Sequence, residues 1–386
     1  MKNHYYLTGA QVVLPNETLH DAAVLIEDGH ISAINPSSHQ GAVEIRLAGD
    51  ILMPGMIDLH CDALEKEAEP RPGVHFPFDF ACAQADKRNA AAGITTVFHA
   101  LSFANAELGV RNNTTAAELA RAIHAWQAHA LIDNRVHARY EITDITAPPV
   151  LHELMAQGEV HLLSFMDHTP GQGQFKDVDS YRSYLSRTYK KDAAEIEALL
   201  ADKLAQGAGA FERMVSLSAA ASAAGVPMAS HDDDRPEKIA IVKNLGVAVS
   251  EFPINLETAQ AARATGLATL FGAPNILRGK SQSGSMRALD AVIADVADCL
   301  CGDYSPAALL PAVLRLPALA GIPLHEAVAL VTRNPARAVG LMDRGEIAVG
   351  KRADLIAVRS LGNLPQAVRV WSAGVAALTL VPAQSR

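Results

Sequence analysis

Eight short apolar segments, most of them ending on or just before an ionisable residue, constrain the fold of this chain more than any other feature. They are GMIDLH (residues 55–60), GITTVFHA (93–100), VHARYEI (136–142), VHLLSFMDH (160–168), VPMASHDD (226–233), VAVSEFPI (247–254), ATLFGAPN (268–275) and CLCGDYS (299–305). Each has the length and β-branched or aromatic content of a buried strand. Between them run Ala/Leu-rich stretches with apolar residues at 3–4 spacing, among them 116–132, 193–206 and 287–297. A strand–loop–helix grammar of this kind implies βαβ units around a parallel sheet, and eight strands are the number that closes a (β/α)₈ barrel. The predicted class is therefore α/β.

The flanks have a different character. Residues 4–52 alternate apolar and polar, with turn signals at LPNE, EDGH and NPSS, and the tail from GEIAVGKRADLIAVRS onward reads the same way. Two β-rich ends around a barrel-like middle predict one small domain assembled from residues 1–53 plus 342–386, with the barrel in 54–341. The 386 residues suffice for both, since a barrel alone takes about 250.

Composition narrows the function classes. A net charge of −9 lacks the basic footprint of a general nucleic-acid binder. The N-terminus has no apolar signal-like run, and the apolar stretch 307–324 is interrupted by Arg315 and three prolines, so no membrane span is expected. Four cysteines (Cys61, Cys82, Cys299, Cys301) do not make a disulfide framework and read as buried thiols. A cytoplasmic protein is the expectation.

In such a barrel, chemistry sits at the C-terminal strand ends and the loops that follow. Those ends carry His60 and Asp62, His99, Glu141, Asp167 and His168, His231, Glu251 and Asp303. A single histidine at a strand end is more often a hydrogen-bonded structural residue than a ligand. Asp233 and Asp234 read as a solvated loop and helix N-cap ahead of Arg235-Pro236. Yet imidazoles and carboxylates at one end of most strands converge, and such a ring repels itself unless a cation sits within it. Imidazole plus carboxylate without cysteine suits Zn²⁺ or Mn²⁺.

PGMIDLH at the first strand and NPARAVGLMDRGEIAVGKRADLIAV near the end resemble the amidohydrolase superfamily. Seven motifs in order narrow the resemblance: HCDALEKEAEPRPGV, HARYEI, FMDHTPGQGQF, SHDDD, EFPIN, GAPNILRGKSQSGS and DYSP. They look like the PhnM-type diphosphatase branch of the carbon–phosphorus lyase pathway. The resemblance implies a metal-dependent barrel with a small β-sandwich domain from both termini. It also implies hydrolysis of α-D-ribose 1-methylphosphonate 5-triphosphate to the 5-phosphate and pyrophosphate.

The chain departs from the superfamily at large in two places. His60-Cys61-Asp62 stands where His-x-His is usual, and the fourth strand offers no lysine for carbamylation, which leaves Glu141 to bridge two cations and the number of ions open between one and two.

Within that reading the metal ligands are His60, Asp62, Glu141, His168 and His231, with His231 also in a catalytic role. Asp303 takes the proton from the attacking water. Its other reading is an N-cap for the helix near Pro306. Phosphate oxygens fall to Arg71 and Gly73 in the PRPG turn, and to Arg278, Lys280, Ser281 and Ser283 ahead of the helix 287–297. The partner is a phosphorylated ribose, with no nucleic acid or membrane, and a homo-oligomer is compatible with the sequence. Two other classes stay in view: an amidase, deaminase or deacetylase on the same fold, and a catalytically idle scaffold.

Overall fold

The computed structural model describes residues 4–39, 41–104, 110–169, 196–197, 201, 205–281 and 284–380. The N-terminal strands are β1 (Tyr5–Val13), β2 (Thr18–Glu27), β3 (His30–Ile34), β4 (Val43–Arg46) and β5 (Ile51–Pro54). Eight more follow: β6 (Met56–Cys61), β7 (Ile94–Phe103), β8 (Asp133–Glu141), β9 (Leu162–Met166), β10 (Met228–His231), β11 (Val249–Glu251), β12 (Ala268–Gly272) and β13 (Cys299–Cys301). The chain closes with β14 (Leu355–Leu361), β15 (Leu364–Ser372) and β16 (Val375–Thr379).

All eight predicted apolar segments contain a strand of the second group, paired in parallel in chain order from β6 to β13. The barrel closes where Asp303 N–H donates to His60 O (2.9 Å) and Asp62 N–H to Asp303 O (3.0 Å). Ile57, Leu59, Phe98, Leu162, Val249 and Leu270 fill the interior. The outer faces of the strands pack on helices such as Phe78–Ala92, Asn113–Trp126, Ala147–Ala156 and Ala210–Ala223. The polar residues Asn112 and Asn255 cap two of the helical segments, each accepting from a backbone N–H at 2.9 Å. The segment 287–297 is helical only over Ala288–Ile293, and 193–206 lies mostly outside the described residues.

The small unit is one continuous mixed sheet, in the order β16-β15-β14-β5-β1-β2-β3 with β4 on β1. As expected it is built from both termini, and it folds over a shared core of Leu7, Val24, Ile26, Leu355, Val368 and Trp371. Its two ends touch. A Cβ on Gly374 would lie 2.7 Å from Gly29 Cα, so the approach requires glycine. The sheet is fastened to the barrel base by Arg344, buried, which donates to Asp133 Oδ2 (2.7 Å) and Thr96 Oγ1 (3.1 Å) near the starts of β8 and β7.

All four cysteines are buried and unpaired. Among the described residues no helix is long and apolar enough to cross a membrane.

Candidate active site

The C-terminal ends of the strands gather the ionisable groups at one mouth. Local backbone makes this possible. Asp58 Oδ1, fully buried on β6, accepts from His60 N–H (3.2 Å) and Gly302 N–H (3.0 Å), holding a register break between Asp58 and Cys61. That break sends the Cys61 thiol out to Asn89 while His60 faces the axis. Among the described residues, three non-glycine positions just past the ends of barrel strands have left-handed backbone: Asp232 (φ 51°), Phe252 (φ 53°) and Asp303 (φ 54°). Alternation along a strand would turn every second side chain away from the axis. At 231–232 and 251–252 the kink lets two successive residues face the same centre. Left-handed backbone at non-glycine residues is costly and clusters at functional sites.

Three groups of side chains there present one donor atom each within 4.8 Å of one another: His60, Asp62 and Asp303; His168, His231 and Asp232; and His60, His231 and Glu251. The His60 and His231 rings stack at 5.5 Å between centroids, with His168 edge-on to His231 at 6.1 Å. His60 Nε2 lies 3.5 Å from Asp62 Oδ1, and His231 Nε2 lies 3.8 Å from Asp232 Oδ2. Buried or half-buried, these mixed imidazole–carboxylate donors form overlapping sets able to hold a divalent metal ion.

Arg139 enters the same space from β8. Its guanidinium lies 3.5 Å from Asp62 Oδ1 and 3.2 Å from His231 Nε2, and its Nε has no hydrogen-bond partner among the described residues.

The fields at the mouth are strong. Burial opposes protonation of His60, but Glu251 and Asp62 outweigh it and push its pKa to about 10. Burial also works against ionised Asp62, yet His60 and Arg139 hold its carboxyl well below the usual range. Asp303 moves the other way: burial and the neighbouring Asp62 raise it to about 6. Burial lowers the pKa of His231. Asp58, stripped of water, is raised to about 7.

The predicted residues separate into two sets. His60, Asp62 and Asp303 meet, as do His168 and His231. Glu141 falls beside them, its Oε2 3.0 Å from His168 Nδ1 and its Oε1 accepting from Thr143 Oγ1 (3.0 Å). Asp303 is not a helix cap, because Ser305 occupies that position.

Of the residues assigned to phosphate, the long side chains that the structure describes are exposed. Arg71 sits in an exposed turn whose Gly73 N–H (φ 76° at the glycine) donates to Glu69 Oε1 at 2.7 Å. Arg278 is exposed and donates to Tyr304 Oη at 3.0 Å, beside Asp303, while Lys280 is exposed and Ser281 half-buried. Ser283 lies outside the described residues. The helix Ala288–Ile293 is too short to offer a macrodipole, and its first N–H is taken by Asn275 Oδ1 (2.9 Å).

Other expectations change. His99 is mid-strand on β7 and bonds Asn134 Oδ1 (2.9 Å), itself held by Asp86 (2.8 Å), so it faces the helical layer. Asp233 is no solvated cap: fully buried, it accepts from Ser230 Oγ (2.6 Å) and Ser250 Oγ (2.5 Å). Arg235 holds the cap position of that helix, without a side-chain cap. The site residues assigned from the sequence omit Arg139, Asp232 and Glu251. For Glu251 the signal was present, since it ends a strand exactly as His231 does.

This mouth and barrel define a hydrolase fold of the amidohydrolase type. A model of the amidohydrolase family matches residues 194–376. Among solved structures, N-acetyl-D-glucosamine-6-phosphate deacetylase from Mycobacterium smegmatis is 16% identical with a TM-score of 0.64, over 97% of this chain and 99% of that one. Dihydropyrimidinase from Brevibacillus agri is 14% identical with a TM-score of 0.56, over 98% and 95%. Both share the fold. The α-D-ribose 1-methylphosphonate 5-triphosphate diphosphatase of Escherichia coli K12 is 34% identical over 373 residues, covering 95% of this chain and 98% of that protein. The chain belongs to the amidohydrolase superfamily, in the branch that contains this E. coli enzyme.

Proposed function

We propose that the protein is a divalent-metal-dependent diphosphatase that hydrolyses α-D-ribose 1-methylphosphonate 5-triphosphate to the 5-phosphate and pyrophosphate. The observation that carries this reading is the relationship to the E. coli diphosphatase over nearly the full length of both chains. The donor groups at the mouth support it.

His60, Asp62, Glu141, His168 and His231 would hold the cation, Zn²⁺ or Mn²⁺, as one ion or two, with Asp232 grouped beside His168 and His231. When bound, the cation supplies Lewis acidity and a more acidic water near neutral pH. The remaining work belongs to the chain. Asp303, grouped with His60 and Asp62, accepts the proton of the attacking water and orients it. Water adds at phosphorus, the anhydride bond to the outer two phosphates breaks, and pyrophosphate leaves with the electron pair. Phosphoryl transfer of this kind depends on positioning and charge neutralisation. Arg139, fixed among the ligands, provides a positive charge for the reacting phosphate. Arg71, Gly73, Arg278, Lys280, Ser281 and Ser283 take the outer phosphates. Being largely exposed, the long side chains at the rim must close on the substrate when it arrives.

The division into a small unit, residues 1–53 plus 342–386, and a barrel, 54–341, belongs to the same reading. So does a cytoplasmic location, since a triphosphate does not cross a bilayer unaided.

Metal analysis coupled to product analysis on the ribosyl triphosphate tests the proposal. Pyrophosphate and bound transition metal are expected. Orthophosphate as the only released product would sink it. Rapid turnover of hydantoins, dihydropyrimidines or N-acetyl sugars, with none on the triphosphate, would favour amide hydrolysis instead.

A further inference from the structure

Glu251, the last residue of β11, is fully buried at the inner side of the site. Four side chains from four other strands surround it. Its Oε2 accepts from Ser164 Oγ on β9 (2.8 Å) and faces His231 Nδ1 on β10 (3.3 Å). Its Oε1 faces His60 Nδ1 on β6 (3.4 Å), with His137 Nε2 on β8 at 3.5 Å. A carboxylate without water is costly unless donors surround it, and here they do. From the other side, the Phe252 ring stands edge-on to both histidines, at 5.0 Å from His60 and 5.3 Å from His231.

We infer that Glu251 is a positioning residue: one carboxylate that sets the tautomer and ring orientation of both His60 and His231, without being a ligand itself. The inference rests on the metal-dependent reading above. A neutral imidazole has one N–H and one lone pair, and the partner of the first decides where the second points. With both Nδ1–H groups directed at Glu251, both Nε2 lone pairs face the mouth, towards Asp62 and Asp232. Carboxylates commonly orient metal-binding histidines in this way. Here one carboxylate serves two rings, so the two candidate groups that contain Asp62 and Asp232 are mechanically linked through it.

The test compares wild type, Glu251→Gln and Glu251→Asp, each stripped of metal by chelator and checked for fold by circular dichroism and thermal unfolding. Zinc affinity is measured by competition with a chromophoric chelator. The Nδ1–H···Glu251 hydrogen bonds of His60 and His231 are read from ring ¹⁵N–¹H signals of the metal-free, histidine-labelled protein. Glutamine has one oxygen to accept with, and its amide NH₂ confronts the second imidazole N–H. Zinc affinity is therefore expected to fall about 10–100-fold, with displaced ring signals for at least one histidine. Wild-type affinity with unchanged ring signals would overturn the inference. So would a zinc-loaded crystal structure with a Glu251 oxygen at about 2.0–2.2 Å from the ion. If the glutamine variant does not fold, Glu251→Asp carries the test. Its shorter arm keeps the charge but cannot span both rings, and unaltered affinity would again overturn the idea. A wild type that takes up no zinc would defeat the metal-dependent reading. The ring signals of the metal-free protein would still judge Glu251.

Discussion

Substituting Gly302 by alanine should damage the site through a contact two residues from the nearest ligand on β6. A Cβ at this position would lie 2.4 Å from Asp58 Oδ2 and 2.8 Å from Pro306 Cα. Neither neighbour can yield cheaply. Pro306 presents backbone, and Asp58 is held by the His60 and Gly302 N–H groups that fix the register break. Overpacking of this kind costs about 1–3 kcal/mol. Displacing Asp58 forfeits two hydrogen bonds at about 1 kcal/mol each. A loss of about 3–5 kcal/mol is expected, a large part of the roughly 5–15 kcal/mol that a folded protein has. Because His60 and Asp303 flank the contact, a shift approaching 1 Å would also cut turnover about 100-fold. Urea denaturation, zinc content and pyrophosphate release measure the three effects. Gly158→Ala is the control: no atom lies within 4 Å, but φ is +72°, so it pays about 1–2 kcal/mol of backbone strain and keeps full activity per folded molecule. If Gly302→Ala matched wild type in stability and turnover, or merely behaved like Gly158→Ala, the account of how His60 is aimed would be wrong.

Other outcomes follow from the same geometry. His231→Ala should abolish pyrophosphate release and lower metal content while circular dichroism stays native, since strand-end residues carry little core stability. Asp303→Asn should keep its metal and lose most turnover, a dissociation that metal analysis and kinetics can separate. His161 accepts from Val136 N–H (3.1 Å), and burial lowers its pKa to about 4. The unfolded chain then binds the extra proton first, so this residue's stabilisation is present above pH 6.5 and is lost as pH falls towards 4, by about 3 kcal/mol at most. Urea unfolding of the metal-free protein at both ends of that range should show a smaller drop for His161→Gln. Arg344→Met should cost about 1.5–3 kcal/mol in urea unfolding, because Asp133 loses its Arg344 hydrogen bond but keeps Arg135 at 3.0 Å, without altering turnover of the folded fraction.

The barrel was legible because strand length and apolar content repeat eight times, and the mouth because most of those runs end in an ionisable group. Direction was harder. His99 and His60 each belong to an apolar run with a histidine near its end, yet β7 continues to Phe103 and its alternation turns His99 outward. Periodicity of two says that neighbours face opposite sides and does not say which side is the axis. The three left-handed residues break even that rule, which hid Asp232 as a companion of His231. Asp233 misled for another reason: three successive aspartates look solvated until Ser230 and Ser250, 3 and 17 residues from it in the chain, close around the middle one. Glu251 stood at a strand end in plain view, but its partner His60 is 191 residues away, beyond anything a local pattern can report.

The sheet built from both termini carries a cost in time. β5 pairs with β14, Ile51 opposite Val358 and Pro54 opposite Leu355, so a strand made among the first emerges from the ribosome some three hundred residues before its neighbour. At about 5–20 residues per second that interval lasts tens of seconds, during which Leu52 and Met53 have no permanent cover. Nascent chains of this protein are then natural clients for a holding chaperone, and truncation before Leu355 should yield aggregates rather than a free-standing barrel.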